Sequence, residues 1–243
     1  HLPLFDLIQS QLVPWRAVTA VAFYNTNGWA LRTSHNIDGG MSWNWNKSAN
    51  AWYCLHFWEH FAYSRDTNFL QTIAYPILKE ICQFWQAELK EMPDGTLVAP
   101  NGWSPEHGPV EDGVSYDQQL IWDLFNNYVE ASTILGIDPD YRATISALRD
   151  KLLPPRIGPW GEIREWLYYP DNPTDIHRHT AHLIGLYPGR QISRTLTPEL
   201  AEAARVSLAA RLETGENRHP WVWAWRCALW AQLDDGDEAH RMI

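Results

Sequence analysis

The sequence predicts an almost all-α fold, with about eight or nine helices joined by long aromatic loops. Three observations lead to this prediction. Apolar residues recur at three- and four-residue steps, hydrophobic residues make up 45% of the chain, and glycine and proline cluster between the periodic stretches. Because helices that are apolar nearly all round alternate with amphipathic ones, we expect an inner buried layer and an outer half-exposed layer.

The predicted helices begin and end where capping residues, proline or glycine interrupt the apolar pattern. Asp66 caps the third helix, and Thr197 followed by Pro198 marks the start of a later one. Pro14 should kink the first helix, and Pro76 should bend the third. The periodic stretches lie at about residues 2–24, 51–63, 67–89, 116–135, 139–153, 198–212 and 221–233.

Composition narrows the class of partner. The net charge of -10 and the pI near 5.4 argue against nucleic acid or an anionic membrane as the partner. No apolar run approaches the roughly 20 residues that span a bilayer. The unusual figure is 15 tryptophans, because an indole face suits the C–H face of a sugar as well as a core neighbour.

The three cysteines and the two chain ends carry further expectations. Cys54, Cys82 and Cys227 are widely spaced within apolar helical patterns, so we expect small core residues and neither a zinc site nor a disulfide framework. The chain begins without methionine and ends in what reads as the middle of a helix. We therefore expect residues 1–243 to be a single domain that is a piece of a longer chain.

The segment from Asn101 to Gly108 is the strongest candidate for a site. Its glycines and Pro105 prevent a continuous helix and place Trp103 and Glu106 on a stiff loop. A carboxyl group held against an indole is partly desolvated, which favours the neutral form that a general acid needs. The alternative is a solvated glutamate beside a tryptophan that only packs.

Two other aromatic segments could line the same site. Residues 34–46 are polar and aromatic, contain Trp45, and are too rich in large side chains for a linker. Glu162 and Glu165 lie in a second aromatic segment and could supply a second carboxylate. They could equally be solvated or paired with Arg164.

Histidines surround an arginine in the stretch that begins at His177, which we expect to open a short helix. His179 and His182 would lie one turn apart, a spacing that permits metal ligation, but Arg178 sits inside the cluster. Arginine and neutral histidine are better suited to recognising sugar hydroxyls or a carboxylate. A purely structural cluster that bonds nearby carbonyl groups also stays open.

Phosphate-binding glycine loops and nucleophile elbows are missing from the sequence, which leaves carbohydrate chemistry with Glu106 as the acid. The chain also carries an ordered set of short motifs: Gly28-Trp29, Ser34-His35-Asn36, Ala51-Trp52-Tyr53, Trp58-Glu59-His60, Ser104-Pro105-Glu106-His107, Tyr116-Asp117-Gln118-Gln119, Glu165-Trp166, His177 to Leu183, Leu186-Tyr187-Pro188-Gly189 and Leu229-Trp230-Ala231. This ordered set resembles the catalytic domain of glycoside hydrolase family 95, which contains α-L-fucosidases and some α-L-galactosidases.

The resemblance implies part of an (α/α)6 toroid and an inverting hydrolysis of terminal α-L-fucosyl or α-L-galactosyl residues. Glu106 corresponds to the general acid, and Arg178 and His179 correspond to sugar-binding residues. With them we expect Trp45 and Trp103 to contact the substrate. The implied partner is a fucosylated or galactosylated glycan, without a cofactor or a metal, and the implied location is extracellular or periplasmic.

The resemblance also has gaps and departures. In the family, asparagines of an Asn-x-Asn motif hold the attacking water and an aspartate activates them; both fall outside residues 1–243. Asn25-Thr26-Asn27 has the right spacing but the wrong place in the order, so we read it as a coincidence. The segment from Arg218 to Trp223 replaces a Thr-Gly-Trp-Ser motif of the family, which affects the local loop.

Two other readings follow from the same residues. The chain could be a non-catalytic carbohydrate-binding or structural helical fragment, because aromatic loops serve that role equally well. It could also belong to a different toroidal glycosidase family. On the leading reading, this stretch alone should hydrolyse little or nothing, since an acid without its base and water site lacks most of the machinery.

Overall fold

A computed structural model of the protein describes residues 1–211 and 219–243. Helices make up most of the described residues, which confirms the predicted fold class. The toroid itself stays a prediction, as does the single domain. The predicted helix end at Leu212 and the departure from the family motif at Arg218 lie outside the described residues.

The chain divides into two compact units. The first comprises residues 1–100 and 120–152, and the second comprises residues 101–119 and 153–243. Helix α5 (Ser115–Leu135) contributes its first turn to the second unit and the remainder to the first.

The first unit is built mainly from long helices. Its elements are α1 (Leu2–Phe23), β1 (Leu31–His35), β2 (Met41–Asn46), α2 (Ala49–Ser64), α3 (Thr67–Phe69), a π-helical turn (Leu70–Ala74), α4 (Tyr75–Glu88), β3 (Lys90–Glu91), β4 (Leu97–Val98) and α6 (Pro139–Lys151). Every residue of helix α2 from Ala49 to Ala62 is buried or half-buried, as its pattern predicts. Phe57 of this helix stacks on Phe5 of α1 with ring centroids 4.3 Å apart.

Proline and capping residues act at two of the predicted places. Pro76 has no N–H for the carbonyl of Thr72. The π-helical turn ends two residues before it, at Ala74, and accommodates the expected irregularity. The Asp66 carboxylate accepts the N–H of Phe69 at 3.0 Å and caps α3. Helix α1, by contrast, runs on through Pro14.

The polar aromatic segment lies mostly in a pair of strands. Strands β1 and β2 form an antiparallel hairpin, with Leu31 opposite Asn46 and His35 opposite Met41. Trp45 lies in β2, where the Arg32 guanidinium sits 4.6 Å from its ring centroid and Phe23 meets it edge to face at 4.8 Å. Most of the polar aromatic segment is therefore ordered as a ribbon.

The second unit combines short strands, irregular segments and three helices among its described residues. Its elements are β5 (Gly102–Trp103), β6 (Val110–Glu111), a 3₁₀ turn (Ala181–Leu183), α7 (Pro198–Ala210), α8 (Pro220–Gln232) and α9 (Gly236–Arg241). Strands β5 and β6 pair, so the predicted loop at 101–108 is the tip of a small hairpin.

The expectation of a helix that opens at His177 is wrong. Only Ala181–Leu183 forms a 3₁₀ turn, and the residues before it are irregular. Side chains take the backbone groups that a helix would use: the Asp175 carboxylate accepts the N–H of His177 at 2.8 Å, and Arg211 donates to the carbonyl of His179 at 3.2 Å.

The cysteines largely follow the sequence prediction. Cys54 and Cys82 are buried and Cys227 is half-buried, and all three are free thiols. Asn25 is buried and donates to the carbonyl of Phe84 at 3.3 Å, so it holds a turn in place. None of the helices in the described ranges has the length and apolar character that crossing a bilayer requires.

Candidate active site

The hairpin of β5 and β6 presents Glu106 at its tip. Trp103 pairs with Val110 at the end of the ladder, and the N–H of His107 donates to the carbonyl of Ser104 at 3.0 Å, which closes a turn around Glu106. Gly108 then adopts a φ of +75°, and a Cβ atom there would lie 2.2 Å from the Trp166 ring. This position therefore requires glycine for both its conformation and its space.

The carboxylate of Glu106 faces the two predicted sugar-binding residues. Arg178 donates a hydrogen bond to Oε2 of Glu106, and Nε2 of His179 lies 3.7 Å from the same oxygen. The Glu106 side chain is 21% exposed, so a ligand can reach it. Burial and the neighbouring Arg178 lower the pKa of His179, which makes its ring neutral at pH 7 and able to bond a hydroxyl.

His177 supports the backbone of Glu106. Its Nε2 accepts the N–H of Glu106 at 3.2 Å, which requires a neutral ring with the hydrogen on Nδ1. Burial and the nearby His107 and His179 lower the pKa of His177 to about 3, which agrees with this role. The ring also stacks on His107, with centroids 3.8 Å apart.

His107 in turn contacts a half-buried carboxylate. Its Nε2 lies 3.1 Å from Oδ2 of Asp175, and because an ionised carboxylate only accepts, Nε2 carries the hydrogen. Burial opposes the charge on Asp175, but Arg211 at 3.1 Å and the N–H of His177 outweigh it and hold the pKa of Asp175 below its ordinary value.

Glu165 is the most buried charged group of the cluster, with no exposed side-chain area. Its Oε1 accepts from the Ser104 hydroxyl, and its Oε2 lies 2.7 Å from Arg211 and 3.3 Å from Nδ1 of His182. Burial alone would raise its pKa, but His182, Arg211, His107 and the Ser104 hydrogen bond hold the pKa of Glu165 at about 2.

The sequence left two alternatives for the carboxylates of the second aromatic segment, a solvated side chain or a pair with Arg164, and Glu165 matches neither. It is not solvated, and Arg164 pairs with Asp171 instead, with Nε and Oδ2 3.2 Å apart. Glu162 is also buried, and its Oε2 accepts the N–H of Trp160 at 3.1 Å. Sequence spacing missed both outcomes because each partner of Glu165 lies far away along the chain.

His179 and His182 do not share a helix face. His179 precedes the 3₁₀ turn and faces Glu106, whereas the buried His182 faces Glu165. Burial and the nearby Arg211 lower the pKa of His182 to about 4 despite that carboxylate. Across residues 1–211 and 219–243, no three His, Cys, Asp or Glu side chains form a group that could hold a metal ion.

The predicted site residues fall in two places. Glu106, Arg178 and His179 meet in the second unit, where Trp103 is half-buried in β5. Trp45 belongs to the first unit, and its part in the site stays a prediction. Sequence reasoning missed His107, Asp175 and Arg211 as site residues. Asp175 and Arg211 carry no local motif, while His107 was visible only as the residue after Glu106.

Comparison with known proteins places the chain in context. The glycosyl hydrolase family 95 catalytic domain matches residues 1–243. Alpha-L-fucosidase 2 of Arabidopsis thaliana is 35% identical over 99% of this chain and 30% of that protein. Probable alpha-fucosidase A of Aspergillus niger is 35% identical over 98% of this chain and 32% of that protein. The chain thus spans about a third of the length of these relatives.

Proposed function

Because the chain belongs to glycosyl hydrolase family 95, we propose that it supplies the acid side of a glycosidase active site. The substrate is a glycan with a terminal α-L-fucosyl residue, or an α-L-galactosyl residue in its place. The fucose preference rests on the two relatives that are named as fucosidases. Membership in this family removes the reading as a different toroidal family.

The observation that carries the proposal is the convergence of Glu106 with Arg178 and His179. A proton donor and two hydrogen-bonding side chains lie within one partly exposed cluster. Glu106 and Arg178 lie 72 positions apart along the chain, so the fold alone brings them together. Arginine and neutral histidine suit the directional hydroxyl groups of a sugar.

The chemistry follows from these positions. Glu106 takes up a proton, then donates it to the glycosidic oxygen as the bond from that oxygen to the anomeric carbon breaks. A water molecule attacks the anomeric carbon from the opposite face, and this attack inverts the configuration. The water loses a proton to a base beyond this chain. Arg178 and His179 hold the sugar hydroxyls, and Trp103 offers an apolar face for stacking.

The test uses the full-length protein with the substitution Glu106→Gln. Glutamine keeps the size of the side chain but has no acidic proton to transfer. We expect kcat to fall by about 10²–10⁴-fold on a natural glycan with a poor leaving group. The loss should be much smaller on an activated aryl α-L-fucoside, whose leaving group needs little protonation.

The matched control is Glu238→Gln, which changes a surface glutamate paired with Arg241 at 2.6 Å in the same unit. This variant should match the wild type on both substrates. If Glu106→Gln lowers kcat equally on the glycan and on the aryl fucoside, or lowers it on neither, Glu106 is not the general acid. A wild-type protein that binds fucosylated glycan without turnover would establish the non-catalytic binding reading instead.

A further inference from the structure

We propose that the buried ion pair of Glu165 and Arg211 is a positioning device for the active site. It sets the place of Glu106 relative to Arg178 and His179, and this role rests on the proposed function. Glu165 is then not the second catalytic carboxylate that its neighbourhood in the sequence could suggest.

The first half of the device holds the turn that carries Glu106. Oε1 of Glu165 accepts from the hydroxyl of Ser104, two residues before Glu106 and fully buried. The carbonyl of Ser104 also accepts the N–H of His107, which closes the turn. A fixed Ser104 therefore limits the directions in which the Glu106 side chain can leave the backbone.

The second half holds the segment that carries the sugar-binding residues. Nη1 of Arg211 donates to the carbonyl of His179 at 3.2 Å and lies 3.1 Å from Oδ2 of Asp175. Asp175 accepts the N–H of His177 at 2.8 Å, so a single guanidinium group restrains both ends of residues 175–179. Arg178 lies inside this restrained stretch.

The contact between Nη2 of Arg211 and Oε2 of Glu165, at 2.7 Å, joins the two halves of the device. Burying two full charges carries a large desolvation penalty, so such a pair is weak evidence for stability and better explained by the geometry it specifies. Both carboxylate oxygens of Glu165 are engaged and the side chain has no exposed area. It therefore cannot reach a substrate or an attacking water.

The test compares Ser104→Ala and Glu165→Gln in the full-length protein. Ser104→Ala removes only the first half, so kcat on the poor-leaving-group glycan should fall by about 10- to 100-fold with an unchanged KM. Glu165→Gln weakens both halves, so it should lower kcat similarly and also raise KM about tenfold. On the activated aryl fucoside, the fall in kcat should be much smaller for both variants than on the glycan.

The control is Asp235→Asn, which weakens another ion pair of the second unit, the one to Arg205 at 2.6 Å. It should lower the melting temperature without changing the ratio of kcat on the two substrates. If Ser104→Ala and Glu165→Gln behave like this control, the pair is merely structural and the inference is wrong.

Hydrogen exchange keeps the inference testable without activity. In Glu165→Gln, peptides from residues 101–111 and 174–180 should both exchange faster, while helix α6 stays at the wild-type rate. An unchanged rate in either segment would overturn the inference. An inactive wild type with the expected exchange pattern would overturn the proposed function alone.

Discussion

The backbone N–H of Glu106 donates a hydrogen bond to Nε2 of His177 across 3.2 Å, although the residues lie 71 positions apart. A protonated imidazole has no acceptor, so this bond exists only while His177 is neutral. Its pKa of about 3 in the fold keeps the ring neutral over the range in which most enzymes work. The conformation of the acid loop is thereby tied to the protonation of a neighbouring side chain.

This relationship predicts acid-sensitive stability. The unfolded state takes up a proton on His177 near pH 6.5, whereas the folded state does so only near pH 3, so unfolding binds protons between these values. The stability that neutral His177 contributes is fully present above pH 6.5 and is lost as the pH falls toward 3. The free energy of unfolding then falls by at most about 1.4 kcal/mol per pH unit for one group. His182, with a pKa of about 4, adds to the same slope.

The check is urea unfolding from pH 8 to pH 4 for the wild type and His177→Asn. Asparagine does not titrate and can still accept the N–H of Glu106, so the variant should lose stability more slowly as the pH falls. At pH 8, His177 is neutral in both the folded and the unfolded state. The difference in unfolding free energy between the two proteins at this pH is therefore the cost of the substitution that does not depend on pH. Parallel curves for the two proteins would contradict the assigned role of His177.

Replacing Arg178 by lysine should weaken sugar binding more than stability. Lysine keeps the charge but loses the planar fork that bonds two acceptors at once. The side chains of Arg178 and Glu106 are 27% and 21% exposed, so we expect a change of less than about 1 kcal/mol in unfolding free energy. In a full-length assay on aryl α-L-fucoside, KM should rise about tenfold, a loss of roughly 1.4 kcal/mol.

The control for that experiment is Arg194→Lys, at a surface pair with Asp234 whose atoms are 2.8 Å apart. It should leave KM at the wild-type value. An unchanged KM in Arg178→Lys would remove this residue from the set that binds the sugar.

Gly108→Ala should be costly because two effects combine. The φ of +75° disfavours any residue with a Cβ atom, and that atom would lie 2.2 Å from the ring of Trp166. Backbone strain of about 1 kcal/mol and overpacking of about 1–3 kcal/mol give an expected loss of about 2–4 kcal/mol. Chemical denaturation measures this loss directly.

Gly95→Ala provides the comparison for the strain alone. Gly95 has a similar φ of +85°, but no atom lies within 4 Å of an added Cβ among the described residues. Its loss should be about 1 kcal/mol. Equal losses at the two positions would mean that Trp166 yields freely and that packing does not limit the conformation of the loop.

A pair of tyrosines tests the polar core of the first unit. The Tyr75 hydroxyl lies 2.9 Å from that of Tyr128 and donates to Asp138 at 2.7 Å. Tyr75→Phe should therefore lower the free energy of unfolding by about 1–3 kcal/mol, because it leaves the buried hydroxyl of Tyr128 without this partner. The hydroxyl of Tyr141 is buried and has no hydrogen-bond partner in the described part of the chain. Tyr141→Phe should therefore lower the free energy of unfolding by less than about 0.5 kcal/mol, or raise it.

Local patterns determined most of the helices. The predictions for residues 116–135 and 221–233 agree with α5 and α8 to within a residue or so, because apolar periodicity and nearby breakers are properties of the chain itself. The helix predicted at His177 failed because side chains satisfy its backbone groups: Asp175 lies two residues before His177, and Arg211 lies 32 positions after His179. Periodicity carries no information about such partners.

The same division holds for the site. Glu106, Arg178 and His179 were identifiable from the sequence because the types and order of their motifs match a known family. Only the tertiary structure showed that Glu165 is a buried partner of Ser104 and Arg211, at separations of 61 and 46 positions. The sequence by itself thus determined which groups are the candidates for the chemistry. The fold decided which charges are desolvated and paired, because burial and contact depend on where the chain returns in space.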